Sequence, residues 1–491
     1  MTGVGQLVGL VGSALIGVLV AGTLPPSPRV DAFFGANQIY ALAMYLGQAV
    51  RVTAPALLLR AGLAPARLRD ATLVLTAAMA AVLVVAALAG AGVVPPASRH
   101  AFAADLLLLA PAAALHVLAG GLAARLSVFG SFGYAAAAYA AGSMVSGVVL
   151  LVAIDAHGAS ALAPCLLAGA AAAAAIMAAG YVAVVSRTGG AAEPGAGVQA
   201  VRPAVAAAEP PGALDAVRRF GLGAVPALSA QLLVVAFTVA AGHVMTGGTA
   251  LLSYAFLALF AVGTVAVTPM SVVLGPELAE RWDDDHELLA SIIRRATGLA
   301  TVVATPTIAV GFLVGRPLSD ALLGALTDAD LDQVFVMLAL LAPSLLLTAA
   351  ATAATVGITT DGRLGALAAW LLPVGGVVVV AGFWLSQRAS ALWQVALVGS
   401  LLAAVSGLVT LGVALGWRRG CGLAVRLLFE NAPVALPMAV AVAVVLPLVR
   451  ESVAWGSVAA CGVCVAVYGP LVLRLRPDTV RMLAGAVGPP P

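Results

Sequence analysis

The chain has 491 residues, 62% of them hydrophobic and 9% charged, against roughly 25% charged in a soluble domain. A mean hydropathy of +1.10, sustained from end to end, excludes a water-soluble globule and a single-anchor protein, so the bilayer is the solvent for nearly the whole fold. The net charge of +3 rests on 24 basic residues, every one an arginine, and their pattern offers nothing that would bind nucleic acid.

Hydrocarbon gives no hydrogen bonds to a bare backbone, so spanning segments are helices or a closed barrel. Barrel strands alternate apolar and polar residues over about ten positions. Ala71 to Val94 and Ala366 to Phe383 are instead unbroken apolar runs of helix length. Residues 4–24 lack a basic n-region and a small-residue cleavage site and read as a retained first span. Five more runs follow near 32–50, 71–94, 104–124, 132–153 and 160–185. Residues 186–219 carry Pro, Gly, Ala and scattered charge and read as a linker. Eight further spans are predicted near 220–242, 249–275, 296–315, 333–356, 363–383, 391–415, 432–449 and 452–473. Residues 276–295 read as an amphipathic connector with Leu278, Trp282, Leu288, Leu289 and Ile292 towards lipid, and Asp283 to His286 as a solvated loop, not a metal site. Asp328, Asp330 and Asp332 fall in an outside loop.

The expected architecture is therefore an all-α polytopic membrane protein of about fourteen transmembrane helices. It comprises a six-helix lobe over 1–185, the cytoplasmic linker 186–219, a second six-helix lobe over 220–415, and two C-terminal helices with a tail over 416–491. Such a plan suggests two repeats facing a common cavity. With the N-terminus inside, nineteen arginines fall on the cytoplasmic side and only Arg29, Arg99, Arg316, Arg388 and Arg450 outside. Cytoplasmic loops carry excess basic residues, so both termini are expected in the cytoplasm. A lysine-free chain fits a GC-rich bacterial genome and hence a bacterial cytoplasmic membrane.

A charge at membrane depth faces a watery cavity, a partner or the interface. Asp31 opens the second span, Asn37, Gln38 and Gln48 follow, and Arg51 stands near its inner end. If that helix runs on to about Leu59, Asn37, Gln48 and Arg51 lie within about 60° of one another and form a polar stripe. The competing reading has Asp31 as a helix cap, favoured by the positive N-terminal end, and Arg51 as an ordinary anchor. Arg125 occupies a short inside turn and reads as an interfacial anchor or a further cation. Asp105, His116, Gln231 and Gln394 are isolated polar residues that a neighbouring helix would satisfy, with Gln231 kept as a candidate substrate contact. Cys461 and Cys464 read as small packing residues, and no phosphate loop, HExxH or GxSxG is present.

The run Val30-Asp31-Ala32-Phe33-Phe34-Gly35-Ala36 resembles the TDAFF signature of the MurJ/MviN family, the lipid II flippases of the MOP superfamily. Gly47 to Pro55, Gly223 to Gln231, Tyr254-Ala255, Gly263 and Leu274 to Trp282 fall in that family's order and spacing. The resemblance implies two six-helix lobes around a cationic cavity, a groove for a polyprenyl tail at the last two helices, and Asp31 on the matching aspartate. The arginines that the family carries after its signature fall on Ala43 to Leu46 or a gap, and Leu257 stands where another arginine is expected.

The resulting expectation is a flippase for a polyprenyl-diphosphate-linked saccharide, with Arg51, and more weakly Arg29 or Arg125, attracting diphosphate and Asp31 orienting the arginine or sensing ions. Membrane lipids, a coupling proton or sodium ion and cell-envelope synthesis proteins are the expected partners, with no cofactor and no chemical reaction. The alternatives are an ion-coupled exporter of small amphipathic compounds and a non-transporting scaffold of an envelope assembly complex.

Overall fold

In a computed structural model of the chain, the described residues are 16–17, 19–59, 63–90, 94–129, 131–187, 212–259, 286–322, 324–360, 363–449 and 452–475. The expected spans at 4–24 and 249–275, most of the linker, the first half of the connector with Leu278 and Trp282, and the tail from 476 lie wholly or partly outside them. All secondary structure among the described residues is helical. The helices are α1 (Pro28–Leu59), α2 (Pro65–Gly90), α3 (Arg99–Val128), α4 (Phe132–His157), α5 (Leu162–Arg187), α6 (Ala213–Val244) and α7 (Gly248–Leu259). They continue as α8 (His286–Leu322), α9 (Asp328–Leu341), α10 (Ser344–Thr360), α11 (Leu364–Arg388), α12 (Leu392–Leu415), α13 (Trp417–Val449) and α14 (Val453–Val463). A π-turn at Cys464–Tyr468 joins α14 to α15 (Gly469–Leu475).

Nine stretches among the described residues are long and apolar enough to cross a membrane, or ten with α9 and α10 taken as one bent span. Most helices overrun their predicted spans, because the charged residues at their ends continue the helix into the headgroup region, where ionised side chains are tolerated. Prolines open α1 and α2 at the first helical position, where a missing N–H breaks no bond. Gly158 and Gly416 end α4 and α12 with φ of 54° and 82°, positive-φ backbone that glycine adopts without a Cβ clash.

Packing divides the chain into two units, and their limits differ from the hydropathy blocks: Leu24–Ala250 with Gly375–Arg388 form the first, and Leu251–Val374 with Ala389–Pro491 form the second. In the first unit, α1 is surrounded by α3 and α6, and Ala32, Ala36, Tyr40, Ala43 and Val50 pack with Phe102, Leu106, Leu109, Ala113, Phe220 and Ala224. Lipid supplies no hydrophobic drive for helices to associate, so close contact through small residues does the work. The extreme case is the crossing of α1 and α3, where a Cβ on Gly120 would lie 2.2 Å from the Gly47 carbonyl oxygen and one on Gly47 would lie 2.7 Å from the His116 carbonyl oxygen. Helix α6, expected to open the second lobe, packs with the first unit; its residues 213–219, expected as linker, are helical and carry an Arg219–Asp215 ion pair of 3.1 Å.

In the second unit, Leu289 and Ile292 are buried, which corrects the expectation that they face lipid. They belong to α8, a 37-residue helix whose apolar stripe enters the protein core. Asp328, Asp330 and Asp332 are in the first turns of α9, not in a loop. Thr327 accepts from the Asp330 N–H and Asp330 accepts from the Thr327 N–H, a capping box, which places carboxylates at the positive helix end. The span predicted at 333–356 is broken by 49° between α9 and α10, where Pro343 has no N–H to continue the ladder.

Candidate functional site

Helix α1 is 32 residues long and reaches Leu59, so the condition for a polar stripe is met. Its wheel divides sharply. Ala32, Gly35, Ala36, Ala43, Leu46, Gly47 and Val50 are buried, while Asn37, Ala41 and Arg51 are half-buried and Met44 and Gln48 exposed. The open positions fall within about 80° of one another at 100° per residue. The structure thus brings Asn37, Gln48 and Arg51 to one face, and adds Met44, an apolar residue between them that polarity alone did not select.

The Arg51 guanidinium lies 5.7 Å from the centroid of the Tyr139 ring on α4. A guanidinium resting on an aromatic face keeps in-plane N–H donors for an anion. Tyr139 was missed because a tyrosine in an alanine-rich run carries no polar signal until its partner is known.

Asp31 is 7% exposed, and its two carboxylate oxygens accept from the Gly247 N–H at 2.7 Å and the Ala250 N–H at 2.9 Å. It therefore caps the N-terminus of α7 from the first turn of α1, a site where helix dipole and unsatisfied N–H groups both favour negative charge. The turn it holds depends on Gly247, whose φ is 84° and whose added Cβ would fall 2.4 Å from Pro26 Cβ. Asp31 does not orient Arg51: the two lie about 30 Å apart along one helix at 1.5 Å per residue. Beside the carboxylate is a cavity of about 10 Å³, lined by residues including Gly35, Pro95, Ser98 and Thr249. That is room for one water and not for a substrate.

The remaining candidates are each engaged within their own unit. Arg29 forms a bidentate ion pair with Asp105 of α3, the longer bond 2.8 Å, and Asp105 is 1% exposed. Arg125 donates to Tyr181 Oη at 3.2 Å and to the Pro65 carbonyl, with its guanidinium 5.5 Å from the Tyr181 ring centroid. It ties α2, α3 and α5 together. Gln231 of α6 is buried and its Nε2 donates to the Gln38 carbonyl at 2.9 Å and Oε1 at 2.8 Å. His116 lies 5.6 Å from the Tyr40 ring, and Gln394 accepts from the Ser390 N–H at 2.9 Å at the start of its own helix. Gly263 and Leu274 to Trp282 of the motif set lie outside the described residues.

The chain is a multi-pass membrane protein, all-helical among the described residues, and its fold is shared by solved structures of other membrane proteins. It matches a solved structure described as "Lipid II flippase MurJ, inward closed conformation" with a TM-score of 0.71 and 11% identity, over 98% of this chain and 98% of that one. It is also similar to the "Inward-facing conformation of a multidrug resistance MATE family transporter of the MOP superfamily", with a TM-score of 0.54 and 15% identity over 85% of this chain and 95% of the other. At these identities the likeness shows the fold alone. No protein-family model matches the chain, and no curated protein matches it by sequence.

Proposed function

We propose that the protein is a flippase that carries a polyprenyl-diphosphate-linked saccharide, lipid II or a related cell-envelope glycan precursor, from the inner to the outer leaflet of a bacterial cytoplasmic membrane by alternating access. The observation that carries this reading is the likeness in fold, over 98% of both chains, to a lipid II flippase. The open face of α1 supports it: Asn37 and Gln48 are amide donors for a sugar headgroup, and Arg51 is a cation for a diphosphate leaving water. Residues 1–185 and 220–415 act as the two functional lobes, with both termini in the cytoplasm and a proton or sodium ion as the driving species. Chemical change of the substrate is not part of this reading, and envelope synthesis enzymes are the expected neighbours.

Replacing Arg51 with Ala and measuring headgroup translocation in vesicles tests the assignment. Loss of a charge-assisted hydrogen bond predicts a rate lower by about tenfold or more. An unchanged rate at normal protein level removes Arg51 from the site.

One observation favours a second reading. Arg29 is neutralised by Asp105 and Arg125 is bound to Tyr181 and Pro65, which leaves Arg51 to meet a diphosphate without them. An ion-coupled exporter of small amphipathic compounds needs fewer cations. It predicts substrate-stimulated proton or sodium flux with no movement of labelled polyprenyl lipid.

A further inference from the structure

The first four turns of α13, Trp417-Arg418-Arg419 onward, are an amphipathic cylinder that hydropathy alone reads as the approach to a span. Gly420, Leu423, Ala424, Leu427 and Asn431 face the protein. Arg419 and Arg426 are exposed along an adjoining arc, and Val425, Leu428 and Phe429 along the next, with Arg418 among them and Phe429 76% exposed. The cylinder is held rigidly: a Cβ on Gly420 would lie 2.7 Å from the Leu411 carbonyl oxygen, and one on Gly412 would lie 2.8 Å from the Trp417 ring. Trp417 also meets Trp370 edge to face with centroids 5.1 Å apart. Half-exposed tryptophans of this kind settle at the headgroup level of a bilayer.

Two more arginines join the same patch from α8. Arg294 Nη2 donates to Glu430 at 2.7 Å, Arg426 Nε stands 3.7 Å from the same carboxylate oxygen, and Arg295 is exposed beside them. Arg294 and Arg426 thus share one half-buried carboxylate, while Arg295, Arg418 and Arg419 are exposed and Glu287 is two turns from Arg294 on α8. The surplus is positive and borders exposed aliphatic and aromatic side chains. A soluble anion would use only the basic arc. A ligand complementary to both arcs carries a phosphate on an acyl chain.

We propose that this patch binds an anionic glycerophospholipid of the resident bilayer, with its phosphate on Arg419 and Arg426 and an acyl chain along Val425, Leu428 and Phe429. The site is separate from the α1 face and does not depend on the transport reading. The test is native mass spectrometry of the full-length, delipidated protein given phosphatidylglycerol, phosphatidylcholine, undecaprenyl diphosphate or inorganic phosphate. Phosphatidylglycerol adducts should survive activation that strips phosphatidylcholine, and Arg419→Gln/Arg426→Gln should lower their retention by about tenfold or more. If that variant loses its monodisperse elution, Arg419→Gln alone keeps the Glu430 pairs and should show the same direction of loss. Equal retention in a folded variant, equal retention of the two glycerophospholipids, displacement by inorganic phosphate, or preference for undecaprenyl diphosphate would each overturn the assignment.

Discussion

At the residue scale, the acid that sequence reading singled out has a structural partner. Asp31 accepts from two backbone N–H groups at the start of α7. An amide at this position has one accepting oxygen, so Asp31→Asn leaves one buried N–H without an acceptor and should cost about 1–3 kcal/mol, read as a lower Tm in detergent. An unchanged Tm with abolished transport would instead assign Asp31 to the substrate or coupling path. Gly247→Ala meets a left-handed φ of 84° and a contact of 2.4 Å with Pro26. It should cost about 1–3 kcal/mol from backbone strain alone. The sequence marked Asp31 as unusual because a carboxylate beside an apolar run is expensive, but its partners are backbone groups more than two hundred positions away, and backbone N–H groups leave no residue signature.

The element scale is where hydropathy is most informative and where it blurs. Runs of Leu, Val and Ala specify each helix, since every backbone group in hydrocarbon must be satisfied within its own segment. The ends escape because Arg51, Arg219 and Arg294 remain helical beyond the apolar core. The break at Pro343 was readable in principle, but the apolar run on either side hid it. The α1–α3 crossing rests on Gly47 and Gly120 with backbone against backbone. Gly120→Ala inserts a methyl where no side chain can yield, so the helices must separate, at about 1–3 kcal/mol or more. Gly133→Ala, with nothing within 4 Å of the added atom, should leave the melting curve unmoved. If both behave alike, the crossing is not a determinant of stability.

For the whole molecule, the all-helical, multi-pass fold was legible because the bilayer imposes one length and one hydrogen-bonding rule on every span. The candidate face was legible only in part: periodicity placed Asn37, Gln48 and Arg51 together, whereas the pairing of Arg29 with Asp105 and of Arg125 with Tyr181 required the tertiary contacts. The skew of arginines supplies a prediction about orientation. In a variant stripped of its native cysteines, Arg388→Cys should react with a membrane-impermeant maleimide in intact cells and Arg187→Cys only after permeabilisation; the reverse pattern would invert the proposed topology. The bonds from Asp31 to Gly247 and from Gln38 to Gln231 join positions 216 and 193 residues apart in the chain. During synthesis, α1 to α5 enter the bilayer before these partners have left the ribosome. Until they arrive, an anion and an amide wait unsatisfied, so a gene cut within residues 188–211 should yield an N-terminal half that is degraded when made alone and rescued when its missing half is co-expressed.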